Sequence, residues 1–232
     1  MVTRSFYDLL NGENSSGNID LSIGTANPAA VVQRKRFVAD KTFFATGGTT
    51  QDEYTWRFGT NSSATKTNTT EGMLCQTTGT ANNRDFSLDW EDERPFDAKA
   101  SIGIWCLKDY IHYDSTNWFN ETGLGYTKGN TGHFFENHSA QTHYRLQTSQ
   151  AETHTMHATG VPRQGSEMIL IKINNAEASC SMSLYGKLRV TATSGLQTSD
   201  RMQPTSYCNR GTNTPSGIAL KTIYRYCEVM NT

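Results

Sequence analysis

The sequence predicts an all-β protein, an antiparallel β-sandwich, on two observations. Apolar residues recur at every second position through much of the chain, and the composition is that of strands and turns. Of the 232 residues, 32 are threonine, and Thr, Ser, Asn and Gly together make 87. Threonine is β-branched and suits a pleated, half-wet surface, while Gly, Asn and Ser supply turns. A chain of this length can enclose a core as one domain. Ten Phe, ten Tyr and four Trp provide large core pieces although the hydrophobic share is only 35%.

Residues 1–30 predict an extended N-terminal arm. Ser5–Leu10 allows a turn or two of helix, stopped by Asn11-Gly12, and a polar Gly/Asn-rich stretch follows. The sandwich spans 31–232. Its strands are expected at 31–38 and 41–45, then at 54–58, where Tyr54, Trp56 and Phe58 alternate with Thr55 and Arg57. Others fall at 72–76, at 86–90 (Phe86, Leu88, Trp90), and at 100–106, where Ala100, Ile102, Ile104 and Cys106 share a face. Further strands are expected at 143–148, 152–158 and 218–229. Met168–Ile173 is apolar enough for a central strand, and Asn174-Asn175 turns it into a partner. That partner predicts one strand of about thirteen residues, with Cys180, Met182, Leu184, Leu188, Val190 and Ala192 on a dry face and a bend at Gly186. Segments too polar to alternate, 59–71, 77–84, 108–131 and 193–216, predict long loops; loops of that length serve binding or subunit contacts. About ten antiparallel strands in one unit are most simply a single jelly roll.

Charge and cysteine content narrow the function. A net charge of −1 gives no whole-chain attraction to nucleic acid or to an anionic membrane. Arg34-Lys35-Arg36 is the dense basic run, either a solvated strand edge or a small nucleic-acid-binding patch. Five cysteines, with no CxxC, point to neither a disulfide framework nor a thiolate zinc site, and Cys106 and Cys180 are expected as buried free thiols. Met1–Leu10 lacks a signal-peptide apolar run, and no stretch approaches the roughly 18 apolar residues of a membrane span.

Four groups are candidates for function. All six histidines lie between His112 and His157; His133, His138, His143, His154 and His157 suit a pH switch or a metal. Their spacings of three and five place successive members on opposite faces of a strand, which is poor for chelation. Asp89, Glu91, Asp92 and Glu93, with Asp97 nearby, form an acidic group of the kind that takes calcium; no other cofactor is implied. Trp118 and Phe119, in the expected loop 108–131, are aromatic contacts for a glycan or an interface. Five glycosylation sequons, starting at Asn14, Asn61, Asn68, Asn120 and Asn137, are about what so much Ser and Thr produces by chance. No GxSxG and no reactive cysteine context is present, so the chain is expected not to be an enzyme.

The arm before Val31, the basic Gln33–Phe37 at the core entry, and the late pair Met168–Ile173 and Ser179–Thr193 together resemble the layout of single jelly-roll coat proteins of small icosahedral viruses. In particular, Ser183–Thr191 looks like the long final strand of such coats. The resemblance implies a capsid subunit that self-assembles with copies of itself into a virion shell around nucleic acid. It departs from the pattern in one respect: residues 1–33 carry only Arg4 as a cation, so the arm would serve subunit contacts and Arg34, Lys35 and Arg36 the genome. The alternative is a lectin-like sandwich that grips a glycan or a host receptor through Trp118 and Phe119. Both readings rest on layout, and layout alone does not fix function.

Overall fold

The computed structural model of the protein describes residues 36–48, 50–51, 54–60, 64–77, 84–90, 96–97, 101–110, 118–126, 131–163, 168–174, 179–197, 201–210 and 220–231. The chain divides into two compact units, Met1–Arg34 and Lys35–Thr232. The arm expected at 1–30 lies outside the described residues, as do Arg34, Lys35, His112, Glu91, Asp92 and Glu93.

Strands, numbered along the chain, form two large antiparallel sheets. The first runs β13 (Met168–Asn174), β8 (Ser101–Tyr110), β17 (Lys221–Asn231), β5 (Gly72–Thr77), β4 (Ala64–Thr69), and β1 (Arg36–Ala39) also pairs with β17. The second runs β12 (Thr153–Pro162), β11 (His143–Gln150), β10 (Thr131–His138), β9 (Trp118–Tyr126), β16 (Arg201–Arg210), β6 (Arg84–Trp90), β3 (Tyr54–Thr60), β2 (Thr50–Gln51), and β7 (Phe96–Asp97) also pairs with β16. A separate hairpin joins β14 (Cys180–Leu184) to β15 (Lys187–Ala192). The antiparallel sandwich expected from periodicity is therefore what the chain forms.

The sheets meet over an aromatic and a polar layer. Trp105 of β8 packs against Trp56 of β3 and Tyr224 of β17, with ring centroids 6.0 and 6.1 Å away. Its indole N–H crosses to the second sheet and donates to the Gly123 carbonyl of β9 at 3.2 Å. Beside it, Asn120 of β9 donates to Thr222 Oγ1 of β17 at 3.0 Å. Thr122 Oγ1 lies 2.7 Å from Ser206 Oγ of β16, which in turn lies 2.5 Å from the Tyr224 hydroxyl. All five of these polar side chains are buried, and their partners offset the desolvation each would otherwise cost. Asn120 and Asn137 are buried, so the folded protein has no room for a glycan at these two sequons.

Three local expectations are corrected. Residues 41–46 form a helix, α1 (Lys41–Thr46), not a strand: Asp40 caps it by accepting from Phe43 N at 2.9 Å, and Gly47 ends it in the left-handed region. The thirteen-residue strand is two strands, because Tyr185 (φ 54) and Gly186 (φ 73) make a two-residue turn of the primed kind. Finally, the expected loops 59–71, 108–131 and 193–216 contain β4, β9 and β16, and β10 begins at the end of the second. All five cysteines are buried and none forms a disulfide, and burial pushes the Cys106 thiol up to about 11.

Candidate ligand-binding face

Register fixes which side chains share the outer face of the second sheet. Asn120 and Thr122 point between the sheets, so Phe119 and Glu121 point outward. Cα partners extend this face: Phe119 stands beside His138 of β10 and Asn209 of β16, and Glu121 beside Glu136 of β10 and Tyr207 of β16. Glu136 in turn faces Arg145 of β11.

Two groups occupy the face. One is aromatic: Phe119 stacks on the His138 imidazole, centroids 6.0 Å apart and planes within 6°, and meets Tyr207 edge-on at 5.6 Å. Asn209 donates to the Tyr207 hydroxyl at 2.9 Å. Phe119, His138, Tyr207 and Asn209 are all half-buried, so they are held yet reachable. The backbone N–H of Ala140 donates to His138 Nδ1 at 3.0 Å, which leaves Nε2 to carry the proton of the neutral ring. Burial holds this imidazole below the usual histidine range, against the pull of Glu136.

The other group is ionic. Arg145 grips Glu136 with two parallel hydrogen bonds, Nε to Oε2 at 2.6 Å and Nη2 to Oε1 at 2.8 Å. Glu136 is only 2% exposed. Burial first, and the neighbouring Glu136 second, push the Glu121 carboxyl up to about 8, although a hydrogen bond from Gln147 opposes them. Glu121 is therefore largely a neutral acid at neutral pH, able both to donate and to accept. Gln147 continues the row toward His154, whose Nδ1 lies 2.9 Å from Ser149 Oγ.

The structure separates the residues that the sequence grouped. Trp118 and Phe119 are in a strand, not a loop, and so face opposite ways. Trp118 is 2% exposed in the core, with the Arg163 guanidinium 5.4 Å from its ring, and is not available to a ligand. His138 and His154 are on the outer face, and His143 is exposed beside Thr142. His133 and His157 point inward, where Thr148 hydrogen-bonds His157 Nε2 at 3.0 Å. Burial holds His157 low and His133 down to about 4. Among the described residues, no three His, Cys, Asp or Glu side chains come together as a metal site. Asp89 lies in β6 and Arg36 in β1, each placed by its backbone pairing, with Arg57 and Met230. Sequence reasoning missed Glu121, Glu136, Arg145 and Tyr207; they are spread over 87 residues and only strand register unites them.

No protein-family model matches the chain, and no curated protein matches it in sequence. Solved structures do resemble it. A protein of unknown function from Shewanella oneidensis MR-1 aligns at a TM-score of 0.60 with 13% identity, over 90% of this chain and 95% of that one. A sialidase aligns at 0.54 with 8% identity, over 76% of this chain and 17% of the sialidase. The binding domain of botulinum neurotoxin serotype D aligns at 0.51 with 9% identity, over 77% of this chain and 44% of that one. At such identities the likeness is one of fold. It upholds the β-sandwich, whereas the coat-protein resemblance has no family match behind it. No helix among the described residues is long and apolar enough to cross a membrane.

Proposed function

We propose that the protein is a glycan-binding module and that a sugar ring sits on the outer face of the second sheet, over Phe119 and Tyr207. One observation carries the reading: a half-buried aromatic row, Tyr207–Phe119–His138, on three adjacent central strands and flanked by neutral hydrogen-bonding groups. The C–H face of a sugar packs on an aromatic ring, while its hydroxyls need donors and acceptors fixed around it. His138 Nε2, Asn209 and the Glu121 carboxyl are such groups, and strands hold them more firmly than loops would. The toxin structure that shares the sandwich is a binding domain, which is in keeping with a binding role without assigning one. The proposal is of binding, not catalysis. Of the features that suggested a coat subunit, the arm and Arg34-Lys35 lie outside the described residues, and Ser183–Thr191 is not one long strand but turns at Tyr185-Gly186; nothing among the described residues favours that reading over this one.

A glycan array tests the proposal with the full chain and its Phe119→Ala and Tyr207→Ala variants. Binding to a defined set of glycans, lost in both variants while their melting temperatures stay near that of the parent, is the expected result. No glycan retained, or retention unchanged by both substitutions, rejects it.

A further inference from the structure

The β14–β15 hairpin displays two large apolar side chains, Tyr185 and Leu188, the second of which its own pattern would bury. Leu188, Val190 and Ala192 alternate, and a regular strand would turn all three to the core. Instead the pairing slips by one residue: Met182 faces Val190, but Ser183 faces Leu188, leaving Arg189 as the extra residue of a β-bulge. Val190 and Ala192 pack toward the core, whereas Leu188 is turned out and is 64% exposed. At the tip Tyr185 is 38% exposed and sits at φ 54, in a turn that favours Asn, Asp or Gly there. A bulge and a strained tyrosine thus both act to present apolar groups, and strain of this kind collects at working surfaces.

Charge identifies the partner. Lys187 and Arg189 flank Leu188 and are exposed, and residues 179–197 contain no Asp or Glu. A chain with a net charge of −1 therefore carries a local cationic tip. Tyr, Leu, Lys and Arg on one protruding turn form a small amphipathic surface. Leu188 suits the acyl boundary, the Tyr185 phenol suits the headgroup level, and the cations suit anionic headgroups. We propose that the Tyr185–Arg189 tip docks the protein peripherally on anionic phospholipid surfaces, separately from the glycan face.

Co-sedimentation of the full chain with vesicles of phosphatidylcholine, alone or mixed with phosphatidylserine, tests this. The parent should pellet with the mixed vesicles, stay in solution with phosphatidylcholine alone, and be released by salt. Reversing both charges, Lys187→Glu with Arg189→Glu, should weaken partitioning at least about tenfold. Leu188→Ser, at a site with little packing to lose, should weaken it about tenfold as well. Melting curves close to the parent's would show that both variants fold. A parent that stays in solution with either vesicle, that pellets equally with both, or whose variants pellet as it does, overturns the proposal. So does a lipid-free dimer of the parent that Leu188→Ser converts to monomer, since the tip would then be a protein contact.

Discussion

Glu121→Gln should change how stability depends on pH, and the sign follows from where the proton resides. The carboxyl ionises near its ordinary 4.5 in the open chain and near 8 in the folded one, so across that window the folded protein holds a proton that the unfolded protein has lost. Stability is then full below 4.5 and falls as pH rises toward 8, at up to ~1.4 kcal/mol per pH unit for a single group. The total loss is on the order of 3–5 kcal/mol, with the upper figure the ceiling for a group that stays buried. His133 acts in the other direction: burial lowers its pKa from 6.5 to about 4, so stability rises with pH between those values. His138 and His157, also held low by burial, act in the same direction as His133, so the histidines oppose Glu121 up to about pH 6.5, and from there to about 8 Glu121 sets the slope among the described groups. Glutamine has the shape and neutrality of the protonated acid and cannot ionise. Urea denaturation between about pH 6.5 and 8 should show the parent losing stability with a slope absent from the variant, and the variant the more stable at the alkaline end. Parallel curves for the two proteins would refute the assignment of that proton to Glu121.

Three further outcomes follow from the packing. Arg145→Met leaves Glu136 buried without its cation and should cost ~3–5 kcal/mol by chemical denaturation, most of which a second change, Glu136→Gln, should restore. Tyr224→Phe removes the hydroxyl that meets Ser206 between the sheets and should cost ~1–3 kcal/mol in the same assay. The β11–β12 turn places Ala151 (φ 47) and Glu152 (φ 65) in the left-handed region, so replacing the pair by Asn-Gly should stabilise the protein by ~1 kcal/mol, seen as a higher melting temperature.

Where inner positions are apolar, the sandwich was legible in the sequence. Trp56 sits in a strand that alternates visibly and Ile171 in a continuous apolar run, and β3, β5, β8, β11, β12, β13 and β17 were all expected near their observed places. Where inner positions are polar, it was not. The buried positions of β9 include Asn120 and Thr122, and those of β16 include Ser206; Asn120 and Ser206 meet Thr222 and Tyr224 across the sandwich, and Thr122 meets Asn120 and Ser206 within its own sheet. Without those partners in view, Asn-Glu-Thr-Gly has the composition of a loop. Helix α1 was missed because Lys41–Thr46 is only six residues long and is bounded by caps, with no room to show a helical period. The candidate face was legible in part: Phe119 was named, but period two assigned to the same stretch would have separated it from Trp118. The bulge at Arg189 left no signal, since the alternation through Leu188 argues for the opposite orientation.

The bonds that cross between the sheets carry a mechanical consequence. Contacts between hydrocarbon side chains change little when one layer slides a small distance over the other, because they have no preferred direction. The Trp105–Gly123, Asn120–Thr222 and Ser206–Tyr224 bonds do have one, and each lengthens at once under sideways displacement. The two sheets are thereby pinned against shear, so a load applied along the strands would meet resistance at these points before the surrounding hydrophobic layer yields.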